Sequence, residues 1–160
     1  MKKLLILLFS ILISFNSWGE TICGETDAQE REGIIYLPNE FQPFTGKHLC
    51  KYENGQKKTE GNYKDGKFDG KWTVWYENGQ ILKEENWKDN IPDGNWTYWF
   101  ENGQKKSEVN YKDGKLDGVY NSWYENGQKK VEAYFKDGKY TKWTEWRKNG
   151  KKKWNCWGLC

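Results

Sequence analysis

The sequence predicts an all-β protein, an array of consecutive β-hairpins that add edge to edge into one elongated, twisted antiparallel sheet with a repeat or solenoid-like architecture. Three observations predict it. First, the phrase Trp75-Tyr76-Glu77-Asn78-Gly79-Gln80 returns as Trp99-Phe100-Glu101-Asn102-Gly103-Gln104 and as Trp123-Tyr124-Glu125-Asn126-Gly127-Gln128. With an earlier copy at Tyr52-Glu53-Asn54-Gly55-Gln56 and a worn one at Trp146-Arg147-Lys148-Asn149-Gly150-Lys151, the glycines step by 24, 24, 24 and 23 residues. Second, the segments between these glycines are rich in β-branched and aromatic residues, and no stretch keeps a helical period. Third, 18% of the chain is aromatic and 31% is charged, so few aliphatic side chains remain for a deep core. Burial therefore falls to Trp, Tyr and Phe, which suits a thin β structure.

Taken in order, Lys2 and Lys3 precede an apolar run from Leu4 to Phe15, and Ser17-Trp18-Gly19 offers small residues at a cleavage site. Residues 1–19 read as a secretory signal peptide, with an uncleaved N-terminal anchor as the alternative. The expected location is exported: periplasmic, secreted or at the cell surface. Removing this segment takes away two lysines and no acids, so the formal net charge falls from +3 to +1. No general basic field for nucleic acid remains, although Lys142, Arg147, Lys148, Lys151, Lys152 and Lys153 make the C-terminal end locally basic, a feature that discourages edge pairing.

Residues 20–33 are polar, lack a clear period and read as a loose N-terminal leader. Ile34-Ile35-Tyr36-Leu37 reads as a strand closed by a turn at Pro38-Asn39-Glu40. The repeats then occupy residues 34–151, about five of them, and residues 152–160 form a Cys-containing cap. Within a repeat, a strand such as Lys71 to Tyr76 meets Asn78-Gly79, predicted as a type I′ hairpin turn, and a return strand runs from about Ile81 to Lys88. A second turn, at Asp65-Gly66, Asp113-Gly114 and Asp137-Gly138, joins it to the next hairpin, with Asn90 replacing Gly in the second repeat. At two strands per hairpin, the sheet is expected to run roughly 50 Å.

The two-residue turn places Tyr76 opposite Ile81, Trp75 opposite Leu82 and Val74 opposite Lys83. Trp72, Val74, Tyr76, Ile81 and Trp87 then share one crowded aromatic face, whose rows of Trp72, Trp96, Tyr120 and Trp143 serve packing. The other face carries Thr73, Leu82, Glu84, Asn86 and a single indole row of Trp75, Trp99, Trp123 and Trp146, the candidate binding residues. That row has two readings. Lysine stems cover the rings, with Trp99 opposite Lys106 and Trp123 opposite Lys130; or the row is a platform for a partner's apolar or planar groups. The acid row Glu60, Glu84, Glu108 and Glu132 reads as a solvated face.

Four cysteines lie toward the chain ends. In an exported protein they favour disulfides, and of three connectivities Cys23 with Cys50 and Cys156 with Cys160 would each staple an end of the array. A zinc site finds neither the spacing nor, beyond His48, a histidine. No nucleophile context and no phosphate-binding glycine loop is present, so neither an enzyme nor a cofactor is expected.

The unit Gly61-Asn62-Tyr63-Lys64-Asp65-Gly66-Lys67-Phe68-Asp69-Gly70-Lys71-Trp72, followed by Trp75 to Gln80, resembles the bacterial variant of the MORN repeat, with departures at Asn90, Pro92 and Thr141-Lys142. The resemblance implies a non-catalytic scaffold for protein or lipid contacts, and some similar proteins are labelled antitoxins. The expectation is therefore a secreted or envelope scaffold that binds a protein partner. The alternatives are a carbohydrate or cell-wall module, for which the aromatic rows provide stacking surfaces, or an antitoxin-like or immunity-like protein. Membrane association is a further partner class the family allows.

Overall fold

In the computed structural model, which describes residues 20–153, every regular element is a strand. The leader contributes β1 (Thr21–Ile22) and β2 (Gln29–Arg31), and β3 (Ile34–Tyr36), expected to begin the repeats, pairs with β2 in a separate two-stranded sheet and so extends the leader past residue 33. The first two repeats supply β4 (Gly46–Lys51), β5 (Lys57–Lys64), β6 (Lys67–Phe68), β7 (Gly70–Trp75) and β8 (Ile81–Lys88). The remaining ones supply β9 (Ile91–Pro92), β10 (Gly94–Trp99), β11 (Lys105–Lys112), β12 (Lys115–Leu116), β13 (Gly118–Trp123), β14 (Lys129–Lys136) and β15 (Lys139–Glu145). One open sheet of 13 strands runs in the order β1-β4-β5-β7-β8-β10-β11-β13-β14-β15, with β6, β9 and β12 paired beside the path. All its ladders are antiparallel except the parallel β1–β4 pair. The array expected from the repeat is thus the observed fold.

The turns differ from the expectation in type. At Asn78-Gly79 only the glycine is left-handed, at φ +84°. Tyr76 N–H donates to Gln80 O at 2.8 Å and Gly79 N–H to Tyr76 O at 2.9 Å, the bonding of a three-residue loop with a glycine bulge. The cause is the Asn78 side chain: its Oδ1 accepts the Gln80 N–H at 2.9 Å, a local bond that Asn makes with the backbone two residues on. The register shifts accordingly. Val74 does face Lys83, but Trp75 faces Ile81 rather than Leu82, across a bulge. Trp99 and Trp123 likewise face Lys105 and Lys129, not Lys106 and Lys130. The type I′ geometry belongs to the other turn, where Asp65 and Gly66 are both left-handed and Asp89-Asn90 takes the same form.

Each loop of the first kind is tied to the next. Asn54 Nδ2 donates to Glu77 O at 3.1 Å, Asn78 to Glu101 O at 3.3 Å, Asn102 to Glu125 O at 3.4 Å and Asn126 to Lys148 O at 3.2 Å. Tyr52, Tyr76 and Tyr124 add hydroxyl bonds to the carbonyls of Trp75, Trp99 and Trp146. On the opposite edge the turns connect through backbone bonds, as where Gly114 N–H donates to Pro92 O and Gly138 N–H to Leu116 O, with side chains added at Asn90, Thr45 and Asp117.

The core is aromatic and lies on one face. Ring contacts run from Phe44 through Tyr63, Phe68, Trp72, Trp87 and Trp96 to Tyr111, with centroids 4.6 to 6.2 Å apart. The leader is not loose. It folds over the first two repeats, adding Ile22, Ala28, Ile35 and Leu37 to the cluster of Phe44, Tyr63 and Trp72. Cys23 and Cys50 are joined by a disulfide, while Cys156 and Cys160 lie outside the described residues. The 27-residue separation corresponds to roughly 3 to 4 kcal/mol in the chain-entropy model.

Packing of the segment before the first repeat sets a test. A Cβ at Gly66 would lie 2.8 Å from Ile35 O and 2.9 Å from Ile35 N, backbone atoms that cannot swing aside, whereas at Gly55 it would meet nothing within 4 Å. Both glycines have positive φ, at +74° and +83°. Gly66→Ala is expected to destabilise by more than about 1 kcal/mol and measurably more than Gly55→Ala, read from denaturant midpoints. Equal losses would show that Ile35 does not pack closely on the Gly66 turn.

Candidate functional site

Two surfaces compete for a function, and strand alternation builds both. On the mixed face, Thr73, Trp75, Glu84 and their counterparts point one way. The row of Trp75, Trp99, Trp123 and Trp146 is half-buried rather than bare. Lys57 lies over the Trp75 ring at 5.4 Å, Lys105 over Trp123 at 5.5 Å and Lys129 over Trp146 at 5.7 Å. Each of these lysines also pairs with an acid of its own strand, Glu60, Glu108 and Glu132. The expected solvated acid row is therefore an ion-paired row, with Glu84 held by Lys71. Such exposed pairs add at most about 1 kcal/mol each. In the second repeat Ile81 stands where the others have lysine, so among the described residues Trp99 has no cation over its ring.

The crowded face divides into a covered and an open part. Under the leader, Gly24, Ile35, Phe68, Trp72 and Trp87 border a cleft of about 530 Å³. Beyond it the aromatic rows meet solvent, where Trp143 is 40% and Tyr140 is 56% exposed. A smaller cleft of about 340 Å³ there is lined by Phe100, Tyr120 and Tyr124, with Lys106 over Phe100 and Lys130 over Tyr124.

His48 fastens the leader. It is 3% exposed, stacks on Trp72 with centroids 4.4 Å apart, and its Nδ1 accepts the Gly24 N–H at 3.1 Å. The other ring nitrogen, Nε2, is 2.6 Å from Thr59 Oγ1, which it reaches as a donor once Nδ1 is the acceptor. This is the neutral ring. Burial holds its pKa below the ordinary histidine value, partly offset by the charge of Glu25.

Reading the sequence missed a polar cluster on the aromatic face. Glu85 is 3% exposed, with Oε1 2.9 Å from Lys83 Nζ and accepting the Tyr98 hydroxyl at 3.1 Å. The signal was present: positions 61, 85, 109 and 133 hold Gly, Glu, Val and Ala, so the carboxylate breaks its own row. Asn90, flagged as a departure, also gains a reason. Its Oδ1 accepts the Phe68 N–H and its Nδ2 donates to Gly33 O of the leader, bonds that a glycine could not make.

A family model described as a MORN repeat variant matches residues 44–65, 68–89, 92–113 and 116–137. Its four copies coincide with the hairpin units from Phe44 to Asp137. No curated protein matches the chain.

The fastening by His48 depends on pH. Because its folded pKa is depressed, the stabilisation is present above the unfolded value and is lost as pH falls below it, when the ring takes a proton and Nδ1 can no longer accept the Gly24 N–H. The protection factors of amides at residues 21–30, the intrinsic exchange rate divided by the observed rate at each pH, are expected to fall between about pH 7 and pH 5, while amides of β10 to β14 keep theirs. Uniform behaviour across both regions would contradict the assignment.

Proposed function

This chain belongs to the MORN repeat variant family, and we propose that it is an exported, non-catalytic scaffold that binds a protein partner through the open part of its aromatic face. The observation that carries the reading is the uneven cover of that face. The leader occupies the first two repeats, whereas Tyr140 and Trp143 at the far end stay exposed. Aromatic side chains on a rigid sheet bury large areas at little entropic cost, which suits a contact surface. The indole row on the other face is less available, since lysines already lie over three of its four rings.

Export is supported by two features. Residues 1–19 carry the signal-peptide pattern, and the Cys23–Cys50 disulfide suits an oxidising compartment. An antitoxin-like role in the cytoplasm would forgo both.

The test is crosslinking and pull-down from the native cell with the full-length gene product, comparing two double variants with the parent. Tyr140→Glu with Trp143→Glu is expected to abolish capture of the partner, and Trp99→Ala with Trp123→Ala to retain it, both variants keeping the parent's circular dichroism. Retention by the first and loss by the second would move the contact to the indole row and refute this assignment.

A further inference from the structure

Because the chain repeats, each position can be compared with its own counterparts. Positions 59, 83, 107 and 131 hold Thr, Lys, Ser and Val, and positions 74, 98 and 122 hold Val, Tyr and Ser. Neither these rows nor that of Glu85 keep one residue, but at Lys83 and Glu85 of the second unit and Tyr98 of the strand after it the three side chains meet: Lys83 and Tyr98 both bond Glu85 Oε1. Burying a carboxylate costs several kcal/mol unless it is paired, and Gly, Val or Ala serve the same packing site elsewhere. The fold alone does not ask for this cluster.

The cluster backs the cleft beneath the leader. Lys83, its side chain 32% exposed, lines the cleft of about 530 Å³ whose floor includes Trp72, Trp87 and Phe68. Trp87 lines it with its ring, while Trp87 Nε1 is sealed from solvent and, among the described residues, has no hydrogen-bond partner. Glu30 of β2 lines the same space from the leader side. Its field reaches the floor, since burial first, then the charges of Glu30 and Glu25, push the Tyr63 phenol up to about 12. Several other polar groups of the wall are already engaged: Glu25 with Lys58, His48 with Gly24 and Thr59, and Asn90 with Phe68 and Gly33. What remains for a ligand is an aromatic platform, a donor in Lys83 and an acceptor in Glu30.

That combination selects among ligand classes. A purely apolar molecule would leave the polar groups unsatisfied, an anion would face Glu30 and Glu25, and a cation would face Lys83. A neutral ring with an apolar face and hydroxyl or acetamido groups at its edge satisfies all of them. We propose that the cleft between the leader and the second repeat binds a pyranose ring of a neutral glycan, stacked on the Trp87 ring and hydrogen-bonded by Lys83 and Glu30, with Glu85 holding the Lys83 ammonium in place. The site lies on the covered part of the sheet and is independent of the protein contact at the far end.

The probes are chitotetraose and cellotetraose, added to the mature protein and followed by tryptophan fluorescence and saturation-transfer NMR. Saturable binding of at least one is expected. Lys83→Met is expected to weaken it about tenfold, the scale of one lost hydrogen bond, Trp87→Leu to weaken it about as much by removing the stacking ring, and Trp123→Phe on the opposite face to leave it unchanged. Glu85→Val, which installs the residue used one unit later, keeps the fold testable and is expected to weaken binding without lowering the melting temperature. Failure of both saccharides to bind, or binding that all three cleft variants preserve, overturns the proposal. Partner capture by the Tyr140 and Trp143 surface would be unaffected by either result.

Discussion

The structure depends on the bond that each loop asparagine makes to the loop after it. Asn78 serves two turns at once: Oδ1 accepts Gln80 N–H within its own loop, and Nδ2 donates to Glu101 O in the next. Neither bond is strong by itself, since a neutral hydrogen bond nets about 1 kcal/mol. Their value lies in geometry, because together they set both the conformation of one loop and its spacing from its neighbour. A repeat that kept the hydrophobic pattern and lost the asparagine would keep its faces without a defined stacking of its edge. This explains why the worn last unit still reads Asn149-Gly150 when much else in it has changed.

That last unit also shows what the period tolerates. Asp117-Gly118 of the preceding unit interrupts two strands, β12 and β13, whereas one residue fewer at Thr141 leaves the single strand β15. The residue removed is the one that made the interruption, so Trp143 still faces Ala133 and remains on the aromatic side. The opposite end is closed differently. There β1 pairs along β4, the disulfide pins Cys23 to Cys50, and the leader supplies the apolar cover that a missing preceding repeat would have supplied.

How much of this was legible follows from what repeats and what does not. The hairpin array, the two faces away from the loops and the Cys23–Cys50 pair could be read from periodicity and position, but the bulge exchanges the faces expected for Ile81 and Leu82. The register at Trp75 could not, because it turns on whether Asn78 uses its side chain or its own left-handed backbone, and the dipeptide is compatible with both. The leader was opaque for a different reason. Its residues lack a period, and its order comes from distant partners, Gly66, His48 and Asn90, which no local pattern announces. The indole row was visible as a row, but the lysines over it belong to the preceding return strand, a relation only the observed register reveals.

In an array of this kind, departures from the period carry more information than the period itself. Glycine at the loops and aromatic residues in the rows recur because each unit has the same packing problem, so their recurrence is explained by the fold. A position that departs must answer to something found at one place only. Asn90 answers to the leader, as its bond to Gly33 O shows. Lys83, Glu85 and Tyr98 have no leader contact of that kind to explain them; they satisfy one another, and the one surface they share with anything else is the wall that Lys83 gives to the cleft. Mutual satisfaction makes the cluster affordable to the fold, but it does not supply the reason for its presence in a chain whose other units do without it, and the proposed cleft ligand would supply one.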